Sequence, residues 1–347
     1  MVSRIKLPGR GLELAMIIYQ RILGLLFLST MALVVWGGVV HNTGSSLACP
    51  DWPLCFGQVM PKMVGQVAIE HSHRLLGAFV GFGAIILSLL SFRMRAKHPK
   101  LFKFSLILLA VIIFQGVLGG ITVILRLSPL VSTAHLATSQ IVIALMVYLL
   151  SLTLKNTQPS FSSTNKAEAQ KILSGLRWAA IILYFQMCLG AFIRHGGQSV
   201  ACGLGPDSLW LCQDGISPLG TLFPATLEAN VHMLHRFMAL VTLLAVAFGT
   251  RPFLHWARKN KVWKARLLVM SSHLLLTIQI ILGLATVYSG ISFEMVTAHL
   301  FVGMLAWINI WSQNLLARRY MKSLNPLPST YHPKFSKQTC DSLSEQA

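Results

Sequence analysis

The chain has 347 residues, of which 54% are hydrophobic and only 11% charged, and its mean hydropathy is +0.64. Soluble domains carry about 25% charged residues, so this composition excludes a water-soluble globular protein and describes an all-α polytopic membrane protein. The formal net charge of +19 is not a nucleic-acid signal, because Lys and Arg gather in alternate connections between apolar runs.

The first apolar run covers 17–40 and follows Arg4, Lys6 and Arg10. A cleaved signal peptide has a shorter apolar core and a small-residue cleavage site, so this run reads as a retained span. Further runs at 72–92, 104–125, 131–154, 177–194, 231–250, 265–288 and 295–316 bring the total to eight. Each is near the roughly 20 residues needed to cross about 30 Å of hydrocarbon. Basic residues cluster before the first span and between spans 2 and 3 (Arg93, Arg95, Lys97, Lys100, Lys103). They cluster again between 4 and 5 (Lys155, Lys166, Lys171, Arg177), between 6 and 7 (Arg251, Arg258, Lys259, Lys261, Lys264, Arg266), and after span 8. With eight spans these segments share one side, and the positive-inside rule puts both termini in the cytoplasm.

The sequence repeats itself. Gln115, Gly119, Thr122 and His135 recur 164 residues later as Gln279, Gly283, Thr286 and His299. Gly37, Ala48 and Cys49 recur 153 residues later as Gly190, Ala201 and Cys202. The expected organisation is an N-terminal four-helix half (1–154), a polar cytoplasmic linker (155–176), a C-terminal four-helix half (177–316) and a cytoplasmic tail (317–347). Four spans per half gives both halves the same orientation, as in parallel repeats about an axis along the membrane normal.

Within that repeat, Glu70-x-x-His73-Arg74 is followed by His135, and His232-x-x-His235-Arg236 by His299. All four histidines are expected about one turn inside the outer end of a helix. Ionisable residues inside a membrane are costly and mark functional sites. Imidazole suits iron, copper and zinc, and pairs of parallel helices with one histidine each suit bis-His haem, His73 with His135 and His235 with His299. Arg74 and Arg236 are candidates for propionate contacts; the alternative is an arginine snorkelling to the interface. Glu70 shares a helix face with His73. It is either a proton-handling group beside the site or an N-terminal acid that favours the helix dipole. His41, His71, His195 and His273 have no counterpart in the other half and read as packing or interfacial residues.

Cys49 and Cys55 fall in the first outer loop, and Cys202 and Cys212 in the matching loop of the second half. On the oxidising side of a bacterial membrane these are two candidate intra-loop disulfides. They read as structural staples, with a redox role for the first pair as the alternative. Cys188 and Cys340 read as free thiols.

These residues resemble haem A synthase. The likeness runs over nearly all of 17–316 and is carried by Thr43-Gly44-Ser45-Ser46-Leu47-Ala48-Cys49-Pro50-Asp51-Trp52-Pro53, Glu70-x-x-His73-Arg74, His135, His235-Arg236 and His299. The resemblance implies oxidation of a ring methyl of haem O to the formyl group of haem A, through hydroxylated intermediates, for cytochrome oxidase biogenesis. It implies that His73 and His135 hold the substrate iron, that Glu70 is catalytic, and that His235 and His299 hold a haem b cofactor. Cys49 and Cys55 match the cysteine-containing bacterial branch, so the implied location is a bacterial inner membrane. Haem O synthase would lie upstream, with oxidase assembly factors as further partners, and no nucleic acid is involved. The oligomeric state stays open, a homo-oligomer included. Two other classes compete: a quinone-linked di-haem b electron-transfer protein, and a membrane thiol–disulfide oxidoreductase. The four histidines in repeat register argue against the latter.

Overall fold

In a computed structural model, residues 9–154, 166–213 and 220–322 are described. They form eight long helices: α1 (Gly9–Asn42), α2 (Gly65–Arg93), α3 (Pro99–Ile124), α4 (Pro129–Thr153), α5 (Lys166–His195), α6 (Leu227–Lys259), α7 (Trp263–Tyr288) and α8 (Phe293–Lys322). All eight are long and apolar enough to cross a membrane, and among the described residues there is no strand beyond isolated bridges. The chain is therefore a multi-pass membrane protein. Outward faces are apolar, as lipid contact requires; Phe82 is 65% exposed and Leu274 61%.

Several helix starts follow from local chemistry. Pro99 and Pro129 open α3 and α4, where a missing N–H costs nothing. Thr226 caps α6 by accepting from the Ala229 N–H. The turns α3–α4 and α7–α8 are the same device 164 residues apart. Leu127 N donates to Thr122 O and Ile291 N to Thr286 O, both at 2.8 Å. Leu127 (φ 65°) and Ile291 (φ 63°) both take the left-handed conformation, which is uncommon for bulky side chains.

The packing closes two rings. Contacts α1–α2, α2–α3, α3–α4 and α1–α4 enclose the first half, and α5–α6, α6–α7, α7–α8 and α5–α8 the second. The rings meet through α4–α8, α4–α5 and α1–α8. Exchanging halves maps α4–α5 onto α1–α8 and α4–α8 onto itself, the contact set a parallel repeat requires. The seam is a buried cluster that includes Ile143, Ala179, Leu183, Val246, Met304 and Ile310. It is pinned by polar groups: Trp307 Nε1 donates to Gln140 O (3.0 Å), Trp311 Nε1 to Ala144 O (2.9 Å) and Tyr184 Oη to Ala137 O (3.0 Å).

Three sequence expectations change. The linker placed at 155–176 is helical from Lys166, and Ile172 and Leu176 are fully buried. The tail placed at 317–347 begins later, because Ala317, Tyr320 and Met321 pack in the core of the second half. In both cases cationic residues lower the hydropathy of helical turns that still present an apolar face inward. The histidines lie deeper than one turn: His73 and His235 are eight residues past the starts of α2 and α6, and His135 and His299 six past those of α4 and α8. That is about 9–12 Å along the axis. Lys155, Cys340 and the basic residues Arg4, Lys6, Lys334 and Lys337 lie outside the described residues.

Helices α5 and α6 cross at backbone contact. A Cβ on Gly175 would lie 2.4 Å from the Gly249 carbonyl oxygen, and one on Gly249 2.6 Å from that of Gly175, the close approach small residues permit in membranes. Gly175→Leu is expected to destabilise the protein by at least about 1–3 kcal/mol, read as a lower melting temperature in detergent. An unchanged melt would place the crossing elsewhere.

Candidate functional site

Each of the four repeated histidines is seated against a glycine of the preceding helix. A Cβ built on Gly37 of α1 would lie 3.1 Å from His73 Cε1, and one on Gly119 of α3 3.1 Å from His135 Cε1. In the second half, a Cβ built on Gly190 of α5 or Gly283 of α7 would lie 2.9 Å and 3.3 Å from His235 and His299 Cε1 respectively. Only a residue without Cβ lets an imidazole lie this close to a helix backbone. His73 interacts electrostatically with His135, and His235 with His299.

One turn before three of these glycines stands a glutamine. Gln115 Nε2 donates to His135 O (2.8 Å), and Gln186 Nε2 to His235 O (3.0 Å). The Gln279 amide nitrogen packs over Gly303 of α8. The backbones of Gln115 and Gln279 lie against the rings of His135 and His299, though short of hydrogen-bond geometry, since Nδ1 of all four histidines is enclosed and unpartnered. A metal-ligating histidine presents one ring nitrogen to the metal and turns the other toward a backbone carbonyl or similar group. Four enclosed Nδ1 atoms beside a helix backbone fit ligation through Nε2. The recurrence of Gln115 and Gly119 is visible in the sequence; the glycine's service as a seat for the ring is not.

The two pairs differ in what stands above them. Glu70 is 4% exposed. Its Oε2 accepts from the Cys49 backbone N–H (2.7 Å), and its Oε1 pairs with Arg74 Nη2. Arg74 also donates to three carbonyls of the α1–α2 loop: Asp51 (2.6 Å), Leu54 (2.5 Å) and Cys49 (3.0 Å). This guanidinium, expected as a propionate contact, is committed to protein acceptors. The loop is closed by the Cys49–Cys55 disulfide. His71, set aside as packing, is buried beside that disulfide, and its Nε2 contacts the Val59 carbonyl at 2.9 Å. The same loop lays Trp52 on Gly120, where a Cβ would lie 2.6 Å from the indole. Gly120 adjoins the glycine that seats His135, so loop and site share a wall.

In the second half His232 takes the place of Glu70, with Nε2 3.5 Å from Arg236 Nη2, and Arg236 Nη1 donates to Ser208 O (2.7 Å). The Cys202–Cys212 disulfide closes the α5–α6 loop. Cys188 is the free thiol among the described residues. A cavity of about 900 Å³ opens beside His235 and His299, within the 300–1,000 Å³ typical of cofactor pockets. It is mostly apolar, and no Asp or Glu lies among the described residues that line it, although Arg194 and Arg236 do. Four imidazoles (His41, His232, His235 and His299), two cations and apolar walls suit an anionic, planar, iron-bearing group.

The family model for COX15-CtaA, described as "Cytochrome oxidase assembly protein", matches residues 20–311. The chain belongs to this family. Curated relatives named "Heme A synthase" are similar along most of its length. That of Shouchella clausii is 33% identical over 64% of this chain and 72% of its own length. That of Geobacillus kaustophilus is 28% identical over 79% and 83%, and that of Bacillus pumilus 26% over 88% and 98%.

Asp51 holds the loop above Glu70 from within. Its carboxylate accepts from the Phe56 N–H (2.6 Å) and the Gly57 N–H (2.8 Å). The Gly57 bond first, then the other backbone donors and nearby Arg74, hold its carboxyl below the ordinary value of 3.8. A lowered folded pKa means that this support is complete above about pH 4 and is lost as pH falls through the folded value. Asp51→Asn is therefore expected to speed hydrogen exchange at the Phe56 and Gly57 amides at neutral pH. Equal exchange rates in variant and parent would remove Asp51 from this role.

Proposed function

We propose that this chain oxidises a ring methyl of haem O to the formyl group of haem A, with the first half as reacting site and the second as holder of a haem b cofactor. The observation that carries the reading is an asymmetry inside matched frames. Both halves seat a histidine pair against glycines, but only the first sets a buried carboxylate, Glu70, one helical turn from a ligating position. The family membership and the names of the relatives supply the substrate.

His73 and His135 hold the iron of the substrate between α2 and α4, and the apolar spans admit its prenyl tail from the bilayer. Glu70 stands beside the substrate edge as the proton-accepting group. Arg74 and the Cys49 N–H each occupy one of its oxygens, and every carboxylate oxygen keeps a second lone pair. Through it Glu70 can orient a water or take a proton from a hydroxylated substrate as general base. The Arg74 fork and the Cys49–Cys55 loop fix Glu70 in place and cap the site against water. His235 and His299 would hold haem b in the cavity of the second half, which Arg236 also lines. When bound, haem b supplies one-electron redox chemistry. His232, lacking a carboxylate, leaves that half without the proton acceptor. A di-haem electron carrier needs no such difference between its sites.

The alternation of basic loops supports cytoplasmic termini, which set both histidine pairs near the outer face of a bacterial inner membrane. Haem O synthase then supplies the substrate, and oxidase assembly takes the product. The test is co-expression with haem O synthase followed by mass analysis of extracted pigments. Formyl-bearing haem is expected with the parent chain. Glu70→Gln is expected to cut its formation by about 10²–10⁴-fold while the purified protein keeps its haem b. Haem O accumulating unchanged beside intact parent protein would contradict the reading, as would full activity of Glu70→Gln.

A further inference from the structure

The cavity beside His235 and His299 carries two arginines and no acid among the described residues that line it. Arg236 already has a protein partner in the Ser208 carbonyl. Arg194 does not share that security: its Nη2 is enclosed and has no hydrogen-bond partner. It stands in the last turn of α5, where the helix dipole favours a cation, but the dipole does not satisfy an enclosed N–H. Its neighbours among the described residues offer no anion. His41 and His195 meet edge-on with ring centroids 4.7 Å apart, and Arg194 interacts electrostatically with both and with His299. An unpaired guanidinium against apolar walls at membrane depth is costly and is stabilised by a carboxylate, which its planar fork matches in geometry.

We propose that Arg194 binds a carboxylate of the group held by His235 and His299, acting as the principal propionate-binding residue of that cavity. This rests on the reading of the cavity as the cofactor haem site. Arg194 lies on α5, which also carries Gly190, the seat of the His235 ring. One helix would thus position His235 and also bind a carboxylate of the same group. Arg236, held by Ser208, plays the lesser part.

The test uses the purified holoprotein in detergent. Transfer of haem b to excess apomyoglobin is followed by absorbance, and the midpoint potential of the bound haem is measured, in the parent, Arg194→Gln and Arg194→Lys. Arg194→Gln is expected to release haem b about tenfold faster or more and to shift the potential to more negative values, because a cation that favours the reduced state is gone. Arg194→Lys keeps the charge and is expected to hold the potential near that of the parent while still releasing haem faster. A merely structural arginine would not sort the two variants by charge. Release and potential unchanged in Arg194→Gln would overturn the proposal while leaving the cofactor site standing. Loosening only the pigment bound through His73 and His135 would overturn it as well. If His235→Ala retains the parent's haem b, the cofactor reading itself fails, and the proposal with it.

Discussion

The contact on which the rest depends is an imidazole ring laid on a helix backbone where a glycine removes the Cβ. It occurs four times, once for each pair of successive helices, at Gly37, Gly119, Gly190 and Gly283. Each seat lets a ring lie against the helix backbone at a set depth. Pairing then follows from ring closure: α2 lies beside α3 and α4 beside α1, so the rings of α2 and α4 face one interior. A Cβ at these seats would crowd the ring, at 2.9–3.3 Å from its Cε1.

On this common frame the halves diverge above the rings. The first half ties a disulfide-closed loop to α2 through Arg74, which clasps Glu70 and three loop carbonyls at once. The second half keeps the arginine and the disulfide but replaces the carboxylate with His232, and a large cavity with no acid among its described lining residues opens beside its pair. On the proposed reading, a site that exchanges substrate for product and a site that keeps its cofactor need different walls around similar histidine pairs. Charge expresses the difference: a fixed carboxylate in one, and in the other an arginine, Arg194, whose Nη2 has no partner.

Much of this was legible in the chain itself. Apolar runs and basic connections yield eight spans, and the offsets of 153 and 164 residues pair Gly37 with Gly190 and Gly119 with Gly283, which all prove to be histidine seats. The Cys49–Cys55 and Cys202–Cys212 pairings also follow from position. Helix ends were less visible, because Lys166, Lys171 and Arg319 lower hydropathy without breaking helices. The closure of Arg74 onto the loop was hidden, since its acceptors are backbone carbonyls that every sequence possesses. Arg194 was hidden for a related reason: its meaning lies in the lack of an anion among the described residues around it, which has no signature along a chain.

The division of labour between the halves is tested most directly by extracting the pigments bound to two single variants, co-expressed with haem O synthase. His235→Ala is predicted to lose haem b while haem O remains bound through His73 and His135. His73→Ala is predicted to lose haem O while haem b stays. If both variants lose the same pigment, or each keeps both, the two histidine pairs do not hold two different haems.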